Sequence, residues 1–489
     1  MYRNILFYSF VMVALLFCTT SFVFAAEPFE VSGWIPYWRA VEGSVNIATR
    51  LNSFTEVNPF VYSVRTDGTL KANSPLSNSE WGILRENAKL QGVRFIPTIM
   101  WSDADAMDAV LKDPLQRTAH VQAIAREVYG YNLDGIDIDY EDKYARTGPY
   151  FSLFLKQLYE AIGYDKWIMC TIEARTPLDS RYSSPESIPK DIEYSNDFKE
   201  IGKYCDRVRI MAYDQMRIDL KLNSSNADPY IPIADPLWVE KVMRLVAEEI
   251  SKDKLVIGVP TYGYEYDMFP ASWDPSDFEY SKLWSFNPTY ATNLSEKLGH
   301  TITRNSAGEM TLVFPASESP EFKPLPNATR VLTWSDGEAI RKKVELAKSL
   351  GIRGIAIFKI DGGQDAAVWE IAAANKGSSS STKVPDIKLG LDTSTPDSAI
   401  EAASSPVAIT VPEHNLSPGS TGEDVRNLQK LLNKHGFIVA ASGVGSVGNE
   451  TTYFGNATYR ALTRFQQANA ISPAIGLFGP RTRAKMKLL

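Results

Sequence analysis

Asp134, Asp137, Asp139 and Glu141 crowd one short apolar segment, LDGIDIDYED, from Leu133 to Asp142, which ends on a fifth carboxylate, Asp142. Residues two apart on a strand share a face. Asp137, Asp139 and Glu141 therefore point one way, and Ile136, Ile138 and Tyr140 the other. Unpaired charge inside a fold is costly, so such a row calls for a purpose. Carboxyls this close cannot all ionise cheaply, and a proton is shared among them. The last of the row, Glu141, can then stay protonated near neutral pH and give its proton to a leaving oxygen. Two other uses fit less well. A solvated charged face leaves the flanking isoleucines unexplained. A calcium loop counted from Asp137 needs Gly at its sixth position and Glu at its twelfth, where Asp142 and Gly148 stand. His120, His300, His414 and His435 are scattered without zinc-site spacing, so neither metal nor cofactor is expected.

Stepping outward, the acids need a rigid frame. Eight β-rich runs begin at Val31, Glu56, Gly92, Leu133, Trp167, Asp206, Leu255 and Gly351, with helical patterns between most of them. The clearest helix is SDGEAIRKKVELAKSLG, with a cap at Ser335 or Asp336, Ile340, Val344 and Ala347 on one face, and a stop at Gly351. This alternation predicts an α/β fold, a (β/α)8 TIM barrel over residues 27–375. The acids face its interior, and Glu141 lies at the C-terminal end of strand four, where such barrels place their chemistry. The long gap between strands seven and eight predicts a small α+β insertion at about 264–328. Cys170 reads as a buried strand residue, and its pairing with Cys205 is left open.

DGIDIDYE resembles the D-x-x-D-x-D-x-E signature of glycoside hydrolase family 18, the chitinase-like family, with all four acidic positions filled. MAYD, Met211 to Asp214 on strand six, resembles the family's M-x-Y-D. GWIPYW and PFVYSVRTDGTL look like the bacterial branch associated with spore germination and cell-wall lysis. The resemblance implies a substrate-assisted retaining mechanism, one of the exceptions to the two-carboxylate scheme. Glu141 would protonate the glycosidic oxygen, Asp139 would steady the substrate's acetamide, and Asp137 would hold Asp139 and share its proton. Tyr213 and Asp214 would hydrogen-bond the acetamide. The chain departs from the family at Phe358, which stands where a Trp usually floors the sugar subsite and offers a smaller apolar face. Tyr37, Trp38, Trp101, Tyr262, Tyr264 and Trp334 fall at predicted strand ends, from which they could stack on further sugars.

The rest of the chain has a different character. Residues 1–26 combine Arg3, an apolar run and Ala25-Ala26, the pattern of an export signal; an uncleaved anchor is the alternative. Residues 376–415 are rich in Ser, Thr and Pro and read as a flexible linker. Residues 416–489 carry nine Lys or Arg against three Asp or Glu, in a chain whose overall net charge is −7. They predict a three-helix domain. YFGNATYRAL at Tyr453 and LFGPRTRAKM at Leu477 repeat one another, and Thr458 and Thr482 suggest helix caps after a Phe-Gly turn. Gly419, Gly422, Val425, Leu428, Gln429 and Leu432 match the pattern of a peptidoglycan-binding domain, whose basic charge suits an anionic wall polymer. Gly443, Gly445 and Gly448 spell G-x-G-x-x-G without a βαβ context, so no nucleotide site is expected. The expectation is an exported monomer, with no nucleic-acid partner and no stable membrane insertion once the signal is removed. It would act on peptidoglycan or another N-acetylglucosamine polymer. A chitinase, or a non-hydrolysing sugar-binding protein on the same fold, are the alternatives.

Overall fold

The computed structural model describes residues 28–227, 229–271, 277–322, 327–378, 383, 410–417, 420–440, 444–469, 471 and 476–488. The expected signal, most of the expected linker, Gly419 and Gly443 lie outside the described residues.

Eight parallel strands form the frame: β1 (Glu30–Pro36), β2 (Glu56–Val64), β3 (Thr98–Trp101), β4 (Gly135–Tyr140), β5 (Trp167–Glu173), β6 (Arg207–Met211), β7 (Leu255–Pro260) and β8 (Gly354–Phe358). Each pairs with the next, and β1 pairs with both β2 and β8, which closes the barrel. The outward residues of β4, Ile136, Ile138 and Tyr140, join Phe151, Phe154, Leu155 and Leu158 of the helix Gly148–Leu158 in one buried layer. The helix Gly337–Leu350 starts where the Asp336 carboxylate accepts the Ala339 N–H at 3.0 Å. It stops at Gly351, whose φ of 70° favours glycine.

The lower barrel interior is charged, beside an inward-facing apolar cluster of Trp34, Phe60, Val256 and Ala356. Arg94 donates to Glu30 and to Glu56, each at 2.8 Å, and Arg207 pairs with Glu30 at 2.6 Å. Arg209 bonds Glu56 on one side and lies 2.9 Å from Asp137 Oδ2 on the other. Three arginines and three carboxylates thus climb from the N-terminal rim of the barrel to the first acid of the row. Runs of apolar residues in β1, β2 and β6 disguise this stack, because only alternate residues face inward.

The insertion is a five-stranded antiparallel sheet. Its strands follow the order Phe278–Phe286, Gly263–Pro270, Thr329–Trp334, Met310–Pro315, Thr303–Arg304, with a helix at Pro288–Leu298. The sheet runs past the expected limit of 328 because Thr329–Trp334 is a central strand, paired on both sides. Arg330 at its heart is fully buried against Glu265 and Asp267. Cys170 and Cys205 are joined in a disulfide, with Cα atoms 5.9 Å apart. Cys170 is the buried strand residue expected, and its partner Cys205 ends the helix Phe198–Tyr204, two residues before β6.

The C-terminal helices are Glu423–Lys434, Asn456–Ala468 and Pro480–Met486. The repeat has a structural use. Phe454 and Phe478 are both buried, and the segments pair at Thr421–Tyr453 and Leu416–Phe478. The two threonines are not caps. Thr458 accepts from Gln429 at 2.8 Å and Thr482 from Gln466 at 2.9 Å, so each ties its helix to the preceding one. This domain meets the N-terminal rim of the barrel: the Tyr453 hydroxyl donates to the Glu160 carbonyl at 3.0 Å, and Arg460 pairs with Asp165 at 2.7 Å. No helix among the described residues is long and apolar enough to cross a membrane.

Candidate active site

At the opposite rim, the C-terminal ends of the strands surround a cavity of about 280 Å³. Asp139, Glu141, Met211, Tyr213, Asp214, Tyr262, Tyr264, Phe358 and Trp38 line it, together with Trp34, Phe60, Thr171, Ser285 and Lys359.

The register of β4 explains the acid row. Asp137 and Asp139 lie opposite Thr98 and Met100 on β3, and opposite Met169 and Thr171 on β5. All these side chains share the interior face. Asp137 sits lowest and is fully buried. It accepts from Trp34 Nε1 at 3.0 Å, Thr98 Oγ1 at 2.8 Å and Thr171 Oγ1 at 2.9 Å. Burial pushes its carboxyl up to about 6 against these donors, while the Arg209 guanidinium favours the anion. Asp139, buried above it, has one oxygen without a hydrogen-bond partner. Burial raises its pKa well above the usual range, and the charges of Glu141 and Asp137 raise it further. Glu141 hydrogen-bonds Asp139 and is pushed up to about 7 by burial, then by Glu173 and Asp142. One proton shared across Asp139 and Glu141 is the arrangement two neighbouring carboxyls adopt.

The opposite wall is aromatic. Tyr213 stacks on Phe358, with ring centroids 5.9 Å apart and planes 18° apart. Trp34 and Tyr262 meet the same Phe358 ring edge-on at 6.0 Å. Asp214 follows in the left-handed region, at φ 58°, and accepts from the Tyr262 hydroxyl at 2.6 Å. Gly258 on β7 makes room for this wall: a Cβ there would meet the Ile210 carbonyl oxygen at 2.6 Å and Tyr213 Cε1 at 2.9 Å.

Three expected sugar-stacking residues sit elsewhere. Trp101 is buried behind β3, against Tyr140 and His120 at 5.4 Å each. It lies opposite Tyr140 in register, so alternation turns it outward with the packing face. Trp334 is the last residue of a central insertion strand and packs on Phe286 and Leu312. Tyr37 lies on the rim against Trp38, at 4.9 Å, but does not line the cavity; Trp38 does and is half exposed. Sequence reasoning missed Trp34, Phe60, Thr171, Ser285 and Lys359. Thr171 was within reach, since parallel register sets it beside Asp139. Ser285 comes from the insertion, which the connection between strands seven and eight places on this face of the barrel, but no local pattern says which of its residues reach the cavity. Among the described residues, no group of three His, Cys, Asp or Glu side chains is placed to hold a metal ion.

The family model of glycosyl hydrolases family 18 matches residues 37–363. The chain belongs to this family. A model of a peptidoglycan binding domain matches residues 421–486. The chain is 21% identical over 337 residues to the uncharacterized glycosylase YvbX of Bacillus subtilis, covering 67% of this chain and 87% of that one. Among solved structures it resembles the spore cortex-lytic enzyme SleL of Bacillus cereus, at 18% identity and a TM-score of 0.54, over 72% of this chain and 75% of that one. It also resembles a chitinase of Chromobacterium violaceum, at 17% identity and a TM-score of 0.54, over 71% and 98% of the two chains. The chain is a glycosidase carrying a peptidoglycan-binding domain.

Proposed function

We propose that this family 18 glycosidase is exported and cleaves β-1,4 bonds next to N-acetylglucosamine in peptidoglycan, by substrate-assisted retention. The observation that carries the chemistry is the position of Glu141, at the mouth of the barrel, in the cavity, and bonded to a second carboxyl beneath it. In the proposed first step Glu141 gives its proton to the glycosidic oxygen as the bond to the anomeric carbon breaks. The carbonyl oxygen of the sugar's own N-acetyl group forms the new bond, giving an oxazolinium ion. Asp139 faces the positive charge this creates, and its partnerless oxygen is free to accept the acetamide N–H. Tyr213 and Asp214 flank the same space. Glu141, now ionised, takes a proton from water as that water opens the oxazolinium, which restores the starting proton inventory.

The peptidoglycan-binding domain supports the wall as substrate over chitin, since the barrel alone fits either. The N-terminal Arg3, apolar run and Ala25-Ala26 support export. Mass spectrometry of fragments released from purified peptidoglycan and from chitin tests substrate and bond together. Glu141→Gln is expected to bind peptidoglycan and release no reducing ends. Digestion at the wild-type rate by this variant removes Glu141 from the mechanism, and fragments from chitin alone replace peptidoglycan as substrate.

A further inference from the structure

Another carboxylate, Glu173, stands beside the acid row and belongs to no signature. The β4–β5 register pairs Asp137 with Met169 and Asp139 with Thr171. One more step along both strands sets Glu141 beside Glu173, the last residue of β5. Glu173 is held from several sides. Its Oε1 accepts the Asp142 N–H at 2.9 Å, its Oε2 accepts Asn196 Nδ2 at 2.8 Å, and Lys143 Nζ lies 3.7 Å away. Donors on both oxygens and a nearby ammonium are the partners of an anion. Asp142 has φ 58°, so the chain bends sharply just after Glu141, in a conformation that non-glycine residues seldom adopt. The hydrogen bond from Glu173 closes that bend.

We infer that Glu173 is a positioning residue that keeps the proton on Glu141 by its charge and fixes the turn that aims this acid. The inference rests on Glu141 being the proton donor. The groups facing Glu141 come from four places: Asp139 and the deeper Asp137 on β4, Asp142 and Lys143 in the turn, Glu173 on β5, and Tyr213 with Asp214 beyond β6. Lys143 is the cation that acts most strongly on Glu141, and Lys359, just after β8, lines the same cavity. Lys143 is buried, donates to the Tyr140 carbonyl and lies over the Phe151 ring at 4.8 Å. Glu173 leads the charges that raise Glu141, and Lys143 opposes it.

Glu173→Gln separates charge from shape. The amide oxygen still accepts the Asp142 N–H. Asn196 has an oxygen without a partner, so its amide can turn over and accept from the new nitrogen. The assay is kcat/KM against pH on soluble uncrosslinked peptidoglycan chains, whose sugar leaving group requires the acid. Glu173→Gln is expected to keep the acid-side plateau within about threefold and to move the basic limb down by about one pH unit. Lys143→Met, which removes the opposing cation, moves the basic limb up. Glu173→Ala, which also frees the turn, lowers kcat at every pH. A basic limb in Glu173→Gln that coincides with wild type, or a downward shift in Lys143→Met, overturns the inference. Glu141→Gln, run alongside, distinguishes the failures: if it stays active the proton-donor reading falls, and if it is inactive while Glu173→Gln is unshifted, only the role of Glu173 falls.

Discussion

Replacing Glu56 by Gln tests whether the barrel is held together by its interior ion pairs. Glu56 is fully buried and accepts from Arg94 Nε at 2.8 Å, from Arg209 and from Asn58 Nδ2 at 2.7 Å. In the wild type Glu30, Glu56 and Asp137 balance Arg94, Arg207 and Arg209. The substitution leaves one guanidinium charge in excess, in a place water does not reach, and sets an amide N–H against a donor. Removing one partner of a buried ion pair costs about 3–5 kcal/mol. The barrel and its insertion comprise about 340 described residues. At roughly 2.1 cal/mol/K per residue the unfolding entropy is about 0.7 kcal/mol/K, so the barrel transition should fall by about 4–7 °C. Differential scanning calorimetry of the full chain at pH 7 reads this directly. A fall of less than about 1 °C would mean that Arg94 and Arg209 find other partners or water, and the account of the interior would be wrong.

Two further outcomes follow from the same geometry. The Arg94 and Arg207 guanidiniums, outweighing burial, hold the Glu30 carboxyl at about 2, below its ordinary 4.5. A depressed pKa stabilises the fold above the unfolded value, and that stability is lost as pH falls from about 4.5 through 2; it amounts to about 3 kcal/mol. Urea midpoints of wild type and Glu30→Gln should therefore converge over that window, and a constant difference would contradict it. Gly258→Ala would press a methyl on the Ile210 carbonyl and the Tyr213 ring. Its backbone neighbour cannot yield, so a loss of about 1–3 kcal/mol in stability is expected with a fall in kcat; wild-type values for both would show that β7 and Tyr213 do not touch.

The alternation Asp137-Ile138-Asp139-Tyr140-Glu141 was legible as two faces because period two is a property of the strand itself. The eight strands were legible for another reason: a parallel strand buried on both faces reads as an apolar run, and helical patterns separate most of these runs. Trp101 was misplaced because nearness to a strand end does not say which face a residue takes; its register with Tyr140 does. Glu56, Arg94 and Arg209 each look like stray charges in their own strands. Only barrel closure brings them together, across sequence distances that local pattern does not span. Glu173 escaped similarly: its significance comes from the neighbouring strand, not from its own. The last insertion strand was invisible because TRVLTW carries a buried Arg330, whose partners Glu265 and Asp267 lie more than sixty residues earlier.

The charged stack also governs how this barrel changes over generations. An aliphatic layer tolerates drift, since volume-conserving swaps cost little and each is independent. Here Arg209 answers to Glu56 below and Asp137 above, so a single replacement leaves a neighbour stranded. Viable descendants must change partners together or keep all of them. The positions beneath the acid row are therefore expected to vary as linked sets, a constraint that ties the floor of the barrel to the history of the cavity above it.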